Sequence, residues 1–450
     1  MIAPRLFPHE PDGHPAPAAT PPTRREAVRV VRPVRNQVQW LARELDAALP
    51  TEHPARAIWD SMERLDLSAF YGSVQSVVGE PGRPATDPQV LLALWLFATA
   101  QGVGSARRLA RLCEEHDAYR WLAGGVPINY HMLSDFRVNH QQALDQLLSE
   151  LLARLMREGL VTLQRVAQDG TRVRASAGAA SFRRRASLER CREEARAQVA
   201  RLAQEREHPE PGVSARERAA RERAARERVA RVERALRDWP ELQAAKERQA
   251  RTLARARRER VTEARVSTTD PDARVMKQPD GGYRPAYNAQ LATDTPSGVI
   301  VGVAVTNQGS DAGQALPLER QVESRTGRPR DYLVDGGFVA RADITALERK
   351  GVTVYAPLRV GRRNGDGATL AEQARARPGD SPEVVAWRAR MVTEEAKAIY
   401  RDRAATAEWT NAQLKAHGLS PFTVRGIDKV TSVVLLCAIA HNLLRWVALA

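Results

Sequence analysis

Residues 216–235 read RERAARERAARERVARVERA, a near five-residue repeat of strong helix formers. This run constrains the fold most, because strand-forming sequence lies on both sides of it. Ahead of it stands VTLQRVAQD (161–169), short and rich in β-branched residues. Behind it come AYNAQLATD (286–294), GVIVGVAVTN (298–307), DYLVD (331–335) and GVTVYAPL (351–358). Pro296, Ser297 and Gly298 supply a turn between the first two of these. Helical patterns at 312–325 and 339–350 separate the later strands, and a helical tract follows from about 384. Hairpin strands followed by crossover helices imply a mixed sheet in an α/β domain. The first strand of that sheet is cut off from the rest by a helical excursion.

The excursion, residues 183–260, holds 24 Lys and Arg against 14 Asp and Glu, a difference of +10 out of the chain's +15. HPEPG (208–212) breaks its helix, and Ser214 with Glu217 forms a capping box for the next one. Leu188, Ala195, Val199 and Leu202 make an apolar seam on the first arm; Val229, Val232 and Leu236 make one on the second. The pattern predicts an antiparallel helical hairpin, with a third helix after Pro240. A five-residue repeat advances about 140° per unit, so its arginines wind around the axis and half the helix faces solvent or ligand. So basic a chain points to a polyanionic partner, nucleic acid first and anionic membrane second; a merely solvated basic surface is the alternative.

Residues 1–34, rich in Pro, Ala and Arg, read as a disordered arm. From about 35 to 160 the apolar spacing is helical. TDPQVLLALWLFATAQG shows it best, with Asp87 as cap and Pro88 in the first turn. The stretch 129–159 reads as one or two helices. Cys113, Cys191 and Cys437 are too scattered for a zinc knuckle or a disulfide framework. There is no apolar leader, and VLLALWLFATA (90–100) and VVLLCAIA (433–440) are shorter than the roughly 18 residues of a membrane span. The expectation is a cytoplasmic protein that does not engage membrane.

Asp169 and Asp335 each close an apolar strand and precede glycine. In an α/β sheet the carboxyl ends of strands converge on the functional edge. Two acids meeting there repel unless a cation stands between them; oxygen ligands favour magnesium or manganese. On the C-terminal helical tract Glu408 shares a face with Arg401 and Lys415, each seven residues away, with Asn411 nearby. Read alone, that face equally fits a solvated salt-bridge surface, and an Asp before a turn equally fits a turn former. Glu394 and Glu395 are the other acids on this tract. Asp270, Asp272 and Asp294 read as loop and turn residues near the sheet, and His131 and His441 as structural.

These segments, in this order, resemble a DDE transposase of a bacterial insertion sequence. ATDPQVLLALWLFATAQGVGSARRLARLCEEHDAYRWLAG resembles the family's N-terminal helical domain, QDGTRVRASA the first-Asp segment, LVDGGF the second-Asp motif, and TEEAKAIYRDRAATAEWTNAQLK the third-acid helix with its Tyr, Arg, Glu and Lys signature. The resemblance implies a ribonuclease H-like core (first part 161–182, the rest 263–450) interrupted by a basic insertion over 183–262. It implies Asp169, Asp335 and Glu408 as catalytic metal ligands for two Mg2+ or Mn2+ ions. It implies Tyr400, Arg403 and Lys415 near DNA. Arg403 stands one residue further from Glu408 than is common, and on an ideal helix Arg401 shares Glu408's face instead, so either arginine is a candidate. Arg172 and the hairpin's Arg216, Arg221, Arg223, Arg226 and Arg228 are candidate phosphate contacts. The implied partners are double-stranded DNA, as element ends and target, and a second copy of the chain in a synaptic homodimer at the nucleoid. A metal-dependent nuclease on the same fold and an inactive DNA-binding descendant are the rival readings.

Overall fold

The computed structural model describes residues 44–76, 84–207, 213–251, 263–358, 372, 374–419 and 421–449. The chain divides into Met1–Glu44 and Leu45–Ala450. The architecture below is that of the second unit; the arm expected over 1–34 lies outside the described residues.

Helices α1 (Pro54–Met62), α2 (Ser68–Tyr71), α3 (Pro88–Ala100), α4 (Ala106–Glu115), α5 (Asp117–Ala123), α6 (Tyr130–Asn139) and α7 (Gln141–Arg157) come first. Asp87 accepts the Gln89 N–H at 2.8 Å and caps α3, as its sequence predicts. The stretch 129–159 resolves into two helices, α6 and α7. Then follow β1 (Arg165–Arg174), a short β2 (Phe182–Arg183), and the hairpin arms α8 (Arg185–Glu207) and α9 (Ala215–Arg251). After the hairpin come β3 (Val266–Ser267), β4 (Arg274–Lys277), β5 (Tyr283–Asp294) and β6 (Ile300–Thr306). The rest is α10 (Ala315–Thr326), β7 (Asp331–Leu333), α11 (Arg341–Arg349), β8 (Thr353–Tyr355), α12 (Pro382–Arg390), α13 (Glu394–Ala416) and α14 (Ile427–Leu449).

β5 is the spine of the main sheet. One side pairs antiparallel with β1 from Ala286 to Asp294; the other pairs with β4 and then β6, also antiparallel. Beyond β1 the sheet turns parallel, β1 to β7 and β7 to β8. β5 is buried from Pro285 to Asp294 without alternation, the mark of a strand covered on both faces. α13 covers one stretch, against β1 and β5; α10 and α14 lie against β6. α14 is long and apolar enough to cross a membrane by length and composition, yet 67% of that window is buried inside the protein. It is a core helix, packed on α3, α6 and α7, so helices before β1 and after β8 share one apolar core.

Two expectations are corrected. Asp169 does not end its strand: β1 runs on through Gly170 to Arg174, because β5 is long enough to pair with all of it. Nor does a third helix begin after Pro240. α9 continues through that proline to Arg251. The capping box at its start forms as expected, with Glu217 N–H to Ser214 Oγ at 3.2 Å and Ser214 N–H to Glu217 Oε2 at 3.1 Å. The hairpin has a small core of its own, Leu188, Ala235 and Val266, with Leu236, Trp239 and Leu242 against it.

Candidate active site at the edge of the parallel strands

β7 pairs only with Arg165–Ala167 of β1 and ends at Leu333. Asp169 therefore stands just past the point where β1 outruns its parallel neighbour, and Asp335 just past the end of that neighbour. The two acids meet at one group. The Arg403 guanidinium, carried by α13, reaches Asp169 Oδ1 at 2.8 Å and Asp335 Oδ2 at 3.9 Å through the same nitrogen. Asn411, two turns further along α13, donates to Asp169 Oδ2 at 2.7 Å. Asp335 Oδ1 accepts the Gly337 N–H at 2.6 Å, which shapes the turn after β7.

Burial raises the pKa of the Asp169 carboxyl; Asp335 and Asp311 push it further in the same direction, while Arg403 and the Gly170 N–H hold it down. A carboxylate in that position needs a cation. Here Arg403 supplies one, and the oxygen-only donor set of Asp169 and Asp335 equally suits a hard divalent ion such as Mg2+ or Mn2+. Among the described residues, no three His, Cys, Asp or Glu side chains already stand grouped at metal-ligand spacing.

The α13 candidates divide by face. Arg403, Thr406, Ala407, Thr410, Asn411 and Leu414 turn inward to differing degrees; Arg401, Glu408 and Lys415 are exposed. Glu408 makes no hydrogen bond or ion pair among the described residues, and the structure does not bring it to the two aspartates. The separation of Arg403 from the Arg401–Glu408 face is the one that ideal helix geometry gives. Tyr400 is half-buried on the packed side, its phenol pKa raised first by burial. The arginines beside Asp169 are engaged internally: Arg165 with Asp331 and Asp402, Arg172 with Asp311 at 3.4 Å and the Gly309 carbonyl at 3.0 Å. Arg216, Arg221, Arg223, Arg226 and Arg228 are all exposed on α9.

Several bland expectations hold. Asp294 accepts Ser297 Oγ at 2.6 Å and shapes the β5–β6 turn. Asp270 and Asp272 accept the Gly426 and Ile427 N–H groups at the start of α14. His441 bonds the Gly298 carbonyl at 2.9 Å, and burial pushes its pKa down to about 4. Sequence reasoning missed Asp311, which lies within TNQGSDAGQ and ends no strand. The available signal was the pair Asn288 and Gln290 on one face of β5, two amides that need an acceptor.

Comparison with known families gives two matches. Residues 43–139 match the model described as Transposase domain (DUF772), and residues 373–447 match the one described as Transposase DDE domain. The second spans α12, α13 and most of α14; neither reaches Asp169 or Asp335. No curated protein and no solved structure matches the chain. With a transposase model matched near each end, in the expected order, the matches indicate a DDE transposase of the insertion-sequence type.

Proposed function

We propose that this transposase cuts DNA at the ends of its element and joins the freed 3′ end to target DNA, at a site built on Asp169 and Asp335. The observation that carries this reading is the meeting of both carboxylates at one cationic group, at the sheet edge where β1 and β7 part. The strand order β6-β5-β1-β7-β8, antiparallel from β6 through β5 to β1 and parallel from β1 through β7 to β8, supports a ribonuclease H-like core. Asp169 and Asp335 would hold Mg2+ or Mn2+, with Glu408 as the third acid; bound there, the ions would supply activation of water and neutralisation of charge at the phosphate. Glu408 is exposed on α13, three residues before Asn411, which bonds Asp169.

The chain's own residues position and neutralise. Asn411 fixes the orientation of the Asp169 carboxylate. Arg403 keeps two acids together that would otherwise repel, and it becomes available to a backbone phosphate once another cation takes its place. Lys415 and Arg401, exposed on the same helix, extend that phosphate-facing surface. The hairpin arginines grip DNA away from the reacting strand, and a second copy of the chain brings the other element end.

The test uses one labelled element end in magnesium. Asp169→Asn and Asp335→Asn should each cut more than about a hundredfold more slowly while binding the end as tightly as before, since affinity comes from Lys and Arg on phosphate. Cleavage retained by either variant overturns the assignment. Glu408→Gln decides the third acid in the same assay. A joining assay with supercoiled target separates transposition from plain nuclease action.

A further inference from the structure

Asp311 lies between β6 and α10, outside both family matches. Its Oδ1 accepts from Asn288 Nδ2 and Gln290 Nε2, each at 2.7 Å, and its Oδ2 has, among the described residues, only Arg172 Nη2, at 3.4 Å. This carboxylate accounts for one glycine and borders a second. A side chain on Gly170, the residue after Asp169, would begin inside Asp311 Oδ1 and Gln290 Nε2, closer than any real Cβ approaches. A side chain on Gly337, two residues after Asp335, would begin 2.8 Å from Asp335 Oδ1 and 3.7 Å from Asp311 Oδ2. Neither glycine has a positive φ. What each position requires is space, and Asp311 takes or borders that space at both.

A second observation points to the same gap. Asn288 is fully buried, its Oδ1 has no partner among the described residues, and that oxygen stands 2.9 Å from where a Gly170 Cβ would be. A buried acceptor without a donor is costly to the fold. It marks a place where a cation or its hydration shell would be welcome. Three carboxylates, Asp169, Asp335 and Asp311, thus crowd the edge, with Arg403 and Arg172 as the neighbouring cations.

We propose that Asp311 is a positioning residue of the cation site: its bulk sets the Asp335–Gly337 turn against β1, and its charge draws the divalent ion to Asp335. This rests on the proposed cation at Asp169 and Asp335. Arg172 is then the partner that offsets Asp311 while no ion is bound.

The test is Mn2+ binding by the full-length protein without DNA, followed by the loss of the free-ion spin-resonance signal. Asp335→Asn should nearly abolish binding. Asp311→Asn, which keeps shape and removes charge, should weaken it by about tenfold, and Asp311→Glu should restore part of the loss. Arg172→Gln should tighten binding, since it leaves Asp311 without its offsetting charge. A purely structural role predicts the opposite for Arg172, because loosening the loop would weaken binding in both variants. Metal-free melting of each variant reports whether it folds, and the Arg172 result stands if Asp311→Asn does not. Wild-type protein that binds no Mn2+, or Asp335→Asn that binds like wild type, overturns the cation reading and this inference with it. Loss in Asp335→Asn with none in Asp311→Asn and no gain in Arg172→Gln overturns the role of Asp311 alone.

Discussion

At the sheet edge, Arg403 and Asp169 are 234 positions apart in the chain, and their side chains are 13% and 22% exposed. On the hairpin, Arg226 pairs with Glu222 four positions away, and the arginine is 66% exposed. Both are Arg–carboxylate contacts, yet they do different physical work. The first pair is held by the whole fold, and removing one partner strands a half-buried charge. The second is made by helix periodicity and contributes about 0.3–0.5 kcal/mol. Around it the same pattern repeats, Arg185 with Glu189 and Arg231 with Glu227, with Arg196 to Glu233 and Arg228 to Glu194 crossing between arms. One region fixes charge in place; the other spreads it along a surface where a phosphate backbone can exchange with Glu.

The largest effect that would sharpen this contrast lies in the buried polar contacts of the sheet region. Asn442 on α14 accepts the Ile300 N–H and donates to the Ile300 carbonyl, both at 2.8 Å and fully buried. Asn442→Ala leaves both ends of that β6 residue unpaired. The expected loss is about 3 kcal/mol, read from denaturant unfolding. Arg226→Ala on the hairpin should lose less than about 0.5 kcal/mol in the same experiment. A small effect at Asn442, or a large one at Arg226, would erase the distinction between the two regions.

The sequence carried the hairpin better than the site for the same reason. Helical seams, capping box and repeat are local patterns, and Leu188, Val232 and the Ser214–Glu217 box fall where spacing puts them. Pro240 misled, because a proline late in a long helix removes one donor without stopping the helix when packing on both sides continues, here through Leu236, Trp239 and Leu242. Five strands of the main sheet are legible from β-branched runs, but β4 and the strand ends are not. Where β1 stops depends on how far β5, more than a hundred residues later, offers backbone to pair with. For the same reason Asp169, Asp335, Arg403 and Asn411 are each candidates in the sequence, while the way they meet is not written there. That Arg403 rather than Arg401 meets Asp169, that Arg172 is engaged by Asp311, and that Glu408 stays exposed are facts of packing between α13 and β1. No local pattern encodes them.

The next effect is smaller and has a sign. Asp270 is fully buried, accepts from Tyr287 Oη at 2.7 Å, and leaves Oδ2 without a partner among the described residues. Burial raises its pKa above the ordinary value, against the hydrogen bonds from Tyr287 and Gly426 that lower it. A carboxyl raised in the folded state contributes stability below its unfolded pKa of about 4, and that contribution is lost as pH rises through the folded value. Asp270→Asn keeps the acceptor oxygen and removes the charge. Its melting temperature relative to wild type should therefore improve as pH is raised from 4 to 7. A difference that is flat with pH, or that falls, would show that Asp270 is not held against its ionisation. Exposed hairpin pairs should leave no such slope, because neither partner is desolvated.

The smallest effect on stability should come with the clearest effect on DNA. Replacing Arg216, Arg221, Arg223, Arg226 and Arg228 with Gln removes five exposed positive charges from α9. The seam residues Ala225, Val232 and Ala235 are untouched, so the helix should keep its circular dichroism and the protein lose no more than about 1 kcal/mol, the sum of a few exposed pairs. Binding to a DNA end is another matter. If the hairpin grips phosphate, every arginine that no longer neutralises a phosphate leaves that phosphate's counterions in place. The log–log slope of affinity against salt then flattens by about 0.9 for each such phosphate. An unchanged slope with an intact helix would mean that carboxylates of the hairpin, such as Glu222 beside Arg226 and Glu194 beside Arg228, already satisfy these arginines, and that the hairpin serves as a spacer or a contact between copies. A flatter slope would place the +10 of residues 183–260 on DNA. It would also complete the contrast with the sheet edge, where charge answers to burial rather than to salt.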